Sequence, residues 1–71
     1  MVNTNETQPQ HSSEFLLFIE RDIGLSKEAL DLGIRQSRLE NAPLSVVLWS
    51  LGLISLEQYQ EIIKWLYQKN N

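Results

Sequence analysis

Enzymes work with a nucleophile held beside a base, with two carboxylates tuned apart, or with a metal. The chain offers these only in fragments. Its single histidine, His11, falls in MVNTNETQPQHSS, a run rich in Asn, Thr and Gln. A Ser-His-Asp arrangement would have to recruit that residue from a segment with nothing to hold it in place. Glu57 and Glu61 are four residues apart and so neighbours on a helix, but on its outward face, where a solvated acidic edge is the simpler reading. There is no cysteine, which removes a disulfide framework, a thiol nucleophile and any sulfur-ligated zinc site. Gly24, Gly33 and Gly52 are too scattered for a phosphate loop, and each has a helix-end or packing explanation. The expectation is a protein that is not an enzyme, with no cofactor and no metal.

Charge narrows the partners. Nine carboxylates stand against six Lys and Arg, a formal charge of −3, and binding to a phosphate backbone needs concentrated cations. The most basic stretch carries Arg35, Gln36 and Arg38 but also Glu28, Asp31 and Glu40, a poor recognition helix. Nucleic acid is therefore kept only as a weaker alternative. No apolar run approaches the ~20 residues that span a bilayer, and the first residues lack the charged and apolar regions of a signal peptide. A soluble, cytoplasmic protein with no membrane partner is expected.

The positioning elements are helices. Seventy-one residues suit one small domain. Residues 1–11 hold too little apolar surface to offset their ordering entropy and read as a disordered tail. Order begins at Ser12 or Ser13, and residues 12–69 form the domain. Phe15, Leu16, Phe18, Ile19 and Ile23 share one face of a helix over about 13–23, with Leu17 outside it and Gly24 as its stop. Ser26 caps a second helix, about 27–39, whose Ala29, Gly33 and Ser37 are small residues at four-residue spacing. That pattern favours a tight crossing within the molecule. Glu40-Asn41-Ala42-Pro43 links to a third helix, about 43–51, with Asn41 or Ala42 as its cap and Leu44, Val47, Leu48 and Leu51 on its buried face. Gly52 ends it. Ser55 and Gln58 form a capping box for a fourth helix, about 56–69, burying Leu56, Tyr59, Ile62, Ile63, Leu66 and Tyr67. No segment alternates at period two. The fold class is all-α, two tandem helical hairpins forming a compact four-helix domain. Each hairpin holds Gly-Leu, a capping serine and a glutamate two residues on, with Gly24 and Gly52 28 positions apart, the mark of an internal repeat.

Some apolar residues remain after that core is assigned. Val46 and Trp49 point away from the buried face of the third helix, Leu32 and Leu39 form a stripe opposite Gly33 and Ser37, and Trp65 sits at the edge of the last helix's arc. Exposed apolar patches with aromatic anchors mark interaction sites, so Leu32, Leu39, Val46, Trp49 and Trp65 are the candidate partner interface.

At GLSKEALDLGIRQS and APLSVVLWSLGLISLEQYQEIIKWL the chain resembles a family of small cyanobacterial proteins of unknown function, over roughly Phe15 to Leu66. That resemblance implies a cytoplasmic, single-domain helical protein. The chain is also similar, more distantly, to the MshEN domains at the N-termini of secretion and pilus ATPases, whose tandem helical motifs bind cyclic-di-GMP. Leu44, Leu48, Gly52, Leu53 and Ile54 match that motif's spacing, with Tyr59 and Ile63 at two leucine positions. Pro43 stands at the Arg position, Ser45 at the Gly and Leu66 at the terminal Gln, so the resemblance implies the hairpin scaffold without the ligand-contacting residues. The expected function is a small non-enzymatic protein–protein interaction module, a regulator or assembly adaptor, with an unidentified protein or a second copy as partner. A degenerate MshEN-like sensor of a cyclic dinucleotide or other small ligand is the alternative.

Overall fold

The structure, a computed structural model, describes residues 12–69. The expected tail of residues 1–11, with His11, and the terminal Asn70 and Asn71 lie outside the described residues. Within them the fold is all-α, four helices in two successive hairpins with no strand.

Helix α1, Ser13–Phe18, starts because Ser12 sits in extended backbone and its Oγ accepts the Phe15 N–H at 3.1 Å, satisfying one of the donors that every helix start leaves free. The chain then widens into a π turn, Ile19–Ile23, which the helical periodicity does not announce. The Gly24 and Leu25 N–H groups both donate to the Ile19 carbonyl, at 3.1 and 3.2 Å. Gly24 closes the turn in left-handed backbone, φ 84°, which glycine adopts without steric cost.

Helix α2, Lys27–Glu40, begins at Ser26, whose Oγ accepts the Ala29 N–H at 3.1 Å. Its end corrects the expected role of the linker. Asn41 is left-handed, φ 54°, and its N–H donates to Arg38 O, while the Ala42 N–H donates to Ser37 O. This is a Schellman stop with asparagine in the glycine place. Both linker residues are thereby spent on finishing α2, and Pro43, extended at ψ 140°, is the cap of α3. Ser37, which is buried, also donates its hydroxyl to the Ala42 carbonyl. One serine therefore ties both ends of the Ala42 residue and fixes the angle at which α3 leaves α2.

Helix α3, Leu44–Ser50, stops the same way. The Gly52 N–H donates to Trp49 O at 3.0 Å and the Leu53 N–H to Leu48 O at 2.9 Å, with Gly52 at φ 76°. Helix α4, Leu56–Lys69, opens with the capping box: the Ser55 N–H donates to Gln58 Oε1 at 2.8 Å, and the Gln58 N–H to Ser55 Oγ at 3.1 Å.

The core is built from Phe15, Ile19, Leu30, Leu44, Leu48, Ile54, Ile62 and Leu66, each contributing about 1.5–3 kcal/mol by leaving water. Helices α2 and α3 cross at Gly33, where a Cβ would collide with Leu48 Cδ2 and lie 3.3 Å from Leu44 Cδ1. The small residue is what allows the approach. Trp65 and Gln58 carry α4 back to the first hairpin. Trp65 stacks on Phe18 with ring centroids 4.8 Å apart and tilts against Phe15 at 5.6 Å. Gln58 Nε2 donates to the Ile23 carbonyl at 3.3 Å, one of the last carbonyls of the first helix, which have no partner within it.

Candidate interaction surface

The buried arc of α4 is narrower than its periodicity suggests. Ile62 and Leu66 are buried and Tyr59 is half-buried, but Leu56, Ile63 and Tyr67 are 54, 40 and 73 % exposed. Leu51 at the end of α3 is likewise exposed rather than buried. The reason is geometric. A broad apolar arc is buried only where neighbours flank it on both sides, and α4 is covered by a seven-residue helix, α3, and by the edge of α1. The remainder of the arc faces water.

The outward residues of α3 adjoin this remainder. Trp49 is 46 % exposed, and its ring lies nearly parallel to that of Tyr59 on α4, centroids 5.2 Å apart and planes 21° apart. Such a stack fixes the indole beyond what burial alone would do, and it links Trp49 to the exposed stripe of α4. Val46, three residues earlier on the same helix, is exposed as well. Val46 and Trp49 on α3, with Leu56, Ile63 and Tyr67 on α4, form an apolar surface of two helices around one held aromatic pair.

The other residues singled out from the sequence lie elsewhere. Leu32 and Leu39 are exposed on α2, on the side away from its buried Leu30, Gly33 and Ser37. The described residues lining the open groove beside Leu39 are Asp31, Ile34, Arg35 and Arg38, all from α2. Trp65 is half-buried between Phe15 and Phe18, so most of its work is closing the bundle. Sequence reasoning missed Leu56, Ile63 and Tyr67, which it placed in the core. The signal that could have found them is the count of apolar positions in α4, more than one short neighbouring helix can cover.

Polar chemistry is sparse. Among the described residues every buried side-chain nitrogen or oxygen has a hydrogen-bond partner, and no three His, Asp or Glu side chains converge as a metal would require. A second open groove, about 270 Å³, runs between α1 and α2 past Leu16, Leu17, Leu30 and Ile34. No described helix is long and apolar enough to cross a membrane.

Comparison with known proteins gives one assignment. No curated protein matches the chain, and no solved structure does. A family model, described as protein of unknown function (DUF2949), matches residues 12–67, which takes in all four helices up to the last turn of α4. The chain belongs to the DUF2949 family of proteins of unknown function.

Proposed function

We propose that the protein is a small, non-enzymatic interaction module, a regulator or assembly adaptor that works by protein contacts through the α3/α4 face. The observation that carries this reading is the Trp49–Tyr59 stack, which holds an indole in one orientation with about half its surface open. Rigid aromatic anchors surrounded by apolar side chains are where binding energy concentrates in interfaces, and holding the ring in advance lowers the ordering cost of association. On the same reading the protein acts in the cytoplasm of a cyanobacterium, and its hairpins derive from one duplicated unit. The supports are the sequence resemblance and the two turns, each built on a left-handed glycine followed by a capping serine.

The test is capture of associated protein from cells that express the chain, comparing wild type with Trp49→Ala and Tyr67→Ser. Both variants remain helical by circular dichroism and lose the captured material. Capture that survives both substitutions sinks the proposal. A thermal-shift screen against cyclic dinucleotides addresses the sensor alternative, and no stabilisation is expected, because Pro43 occupies the position of the cation that a dianionic ligand wants.

A further inference from the structure

We propose that the occupant of this face is a second copy of the chain, bound through two antiparallel α4 helices related by a two-fold axis. The inference rests on the reading of the α3/α4 face as an interaction surface and names its partner. Leu56, Gln60, Ile63 and Tyr67 are all exposed on α4, and their spacing of four, three and four residues is the d-a-d-a series of a heptad seam. On that frame Glu57 and Lys64, both exposed, are the two e positions, on one flank of the seam. The g positions on the other flank are Tyr59 and Leu66, already packed in their own chain against Trp49 and the core.

This distribution selects a direction. A parallel pair sets each e position against a g position, so Glu57 and Lys64 would face side chains that carry no charge. An antiparallel pair sets the e flank against itself in reverse. Glu57 then lies across from Lys64 of the partner subunit, and the two-fold axis repeats the ion pair. The same register stacks Leu56 on Tyr67 and Gln60 on Ile63 across the seam. One polar residue in an otherwise apolar seam is the device that fixes register and oligomer number. A two-fold contact also needs a patch complementary to itself, and the opposite charges seven residues apart supply it. The exposed parts of Val46, Trp49, Leu56, Ile63 and Tyr67 come to about 500 Å² at 150–250 Å² for a large side chain. Two copies thus remove on the order of 1,000 Å², the lower bound for a specific interface.

The experiment is sedimentation equilibrium on the full chain at low salt, from roughly 1 to 300 µM, the range in which an interface of this area associates. Wild type moves from the 8.3 kDa monomer toward twice that mass. Glu57→Lys sets cations against cations and Lys64→Glu sets carboxylates against carboxylates, so each variant alone loses about tenfold or more in affinity. An equimolar mixture of the two pairs opposite charges and regains the dimer, with circular dichroism verifying that both chains are folded. A wild type that stays monomeric throughout overturns self-pairing, as does a dimer indifferent to both reversals. Loss of self-pairing leaves the broader reading to the Trp49→Ala capture experiment, so the two failures are separable.

Discussion

Gln58 offers a substitution whose sign is decided by a single tertiary contact. Considered as a helix start alone, Gln58→Glu stabilises. The carboxylate keeps an oxygen for the Ser55 N–H, now held at 2.8 Å by Gln58 Oε1, and a negative charge in the first turn gains about 0.3–1 kcal/mol from the helix dipole. The structure adds a donor to the account. Gln58 Nε2 reaches the Ile23 carbonyl at 3.3 Å, 35 residues away in sequence, and a carboxylate has nothing to donate. The variant loses a bond worth about 0.5–1.5 kcal/mol and sets an anionic oxygen beside a carbonyl whose unpaired state costs a further ~1–3 kcal/mol when dry. The contact is only partly buried, so water recovers part of that penalty. The balance is a net loss of about 1 kcal/mol. In a domain of this size that lowers the thermal midpoint by about 4–8 °C, readable by circular dichroism at fixed protein concentration. Gln58→Ala, which also gives up the capping box, falls by a similar or larger amount. A midpoint for Gln58→Glu equal to or above wild type would refute the claim that this side chain ties the two hairpins together.

Three further outcomes follow from the packing. Gly33→Ala gains about 1 kcal/mol of helix propensity but drives a methyl into Leu48 and Leu44, both fully buried, at an overpacking cost of about 1–3 kcal/mol; urea unfolding should show a net loss, and a gain would mean that α2 and α3 do not cross there. Asn41→Ala forces an L side chain without asparagine's local bonding into left-handed backbone and should cost about 1 kcal/mol, whereas Asn41→Gly should be neutral or stabilising by the same assay. Leu39→Ser changes a side chain that is 74 % exposed and should leave the unfolding free energy within about 0.5 kcal/mol.

What was legible in the sequence was mostly local. Gly24 and Gly52 as stops, Ser26 and the Ser55/Gln58 box as starts, and the small-residue stripe through Gly33 are each specified by a few neighbouring residues, so reading them needs no knowledge of the rest of the chain. The sequence leaves Asn41 ambiguous, because an asparagine two residues before a proline fits either the end of one helix or the start of the next. Its left-handed φ and the bonds of Asn41 and Ala42 back to α2 decide for the end. The π turn at Ile19–Ile23 has no local signature, because the same side chains suit an ordinary turn. Most consequential is α4. Periodicity locates an apolar arc but says nothing of how many helices are available to cover it, so Leu56, Ile63 and Tyr67 read as core although they face water. The candidate surface was half visible for the same reason: Val46 and Trp49 stood out as surplus on α3, but their continuation onto α4 needed the Trp49–Tyr59 stack to be seen.

The measurement that bears most directly on the account is the binding of associated protein, whether a second copy or another chain, to wild type, Trp49→Ala and Leu39→Ser side by side. If the α3/α4 face is the interaction surface, Trp49→Ala weakens that binding by at least about tenfold, as removal of a central aromatic anchor does, while Leu39→Ser on α2 leaves it unchanged. Binding that withstands Trp49→Ala but is lost with Leu39→Ser would move the surface to α2 and contradict the account.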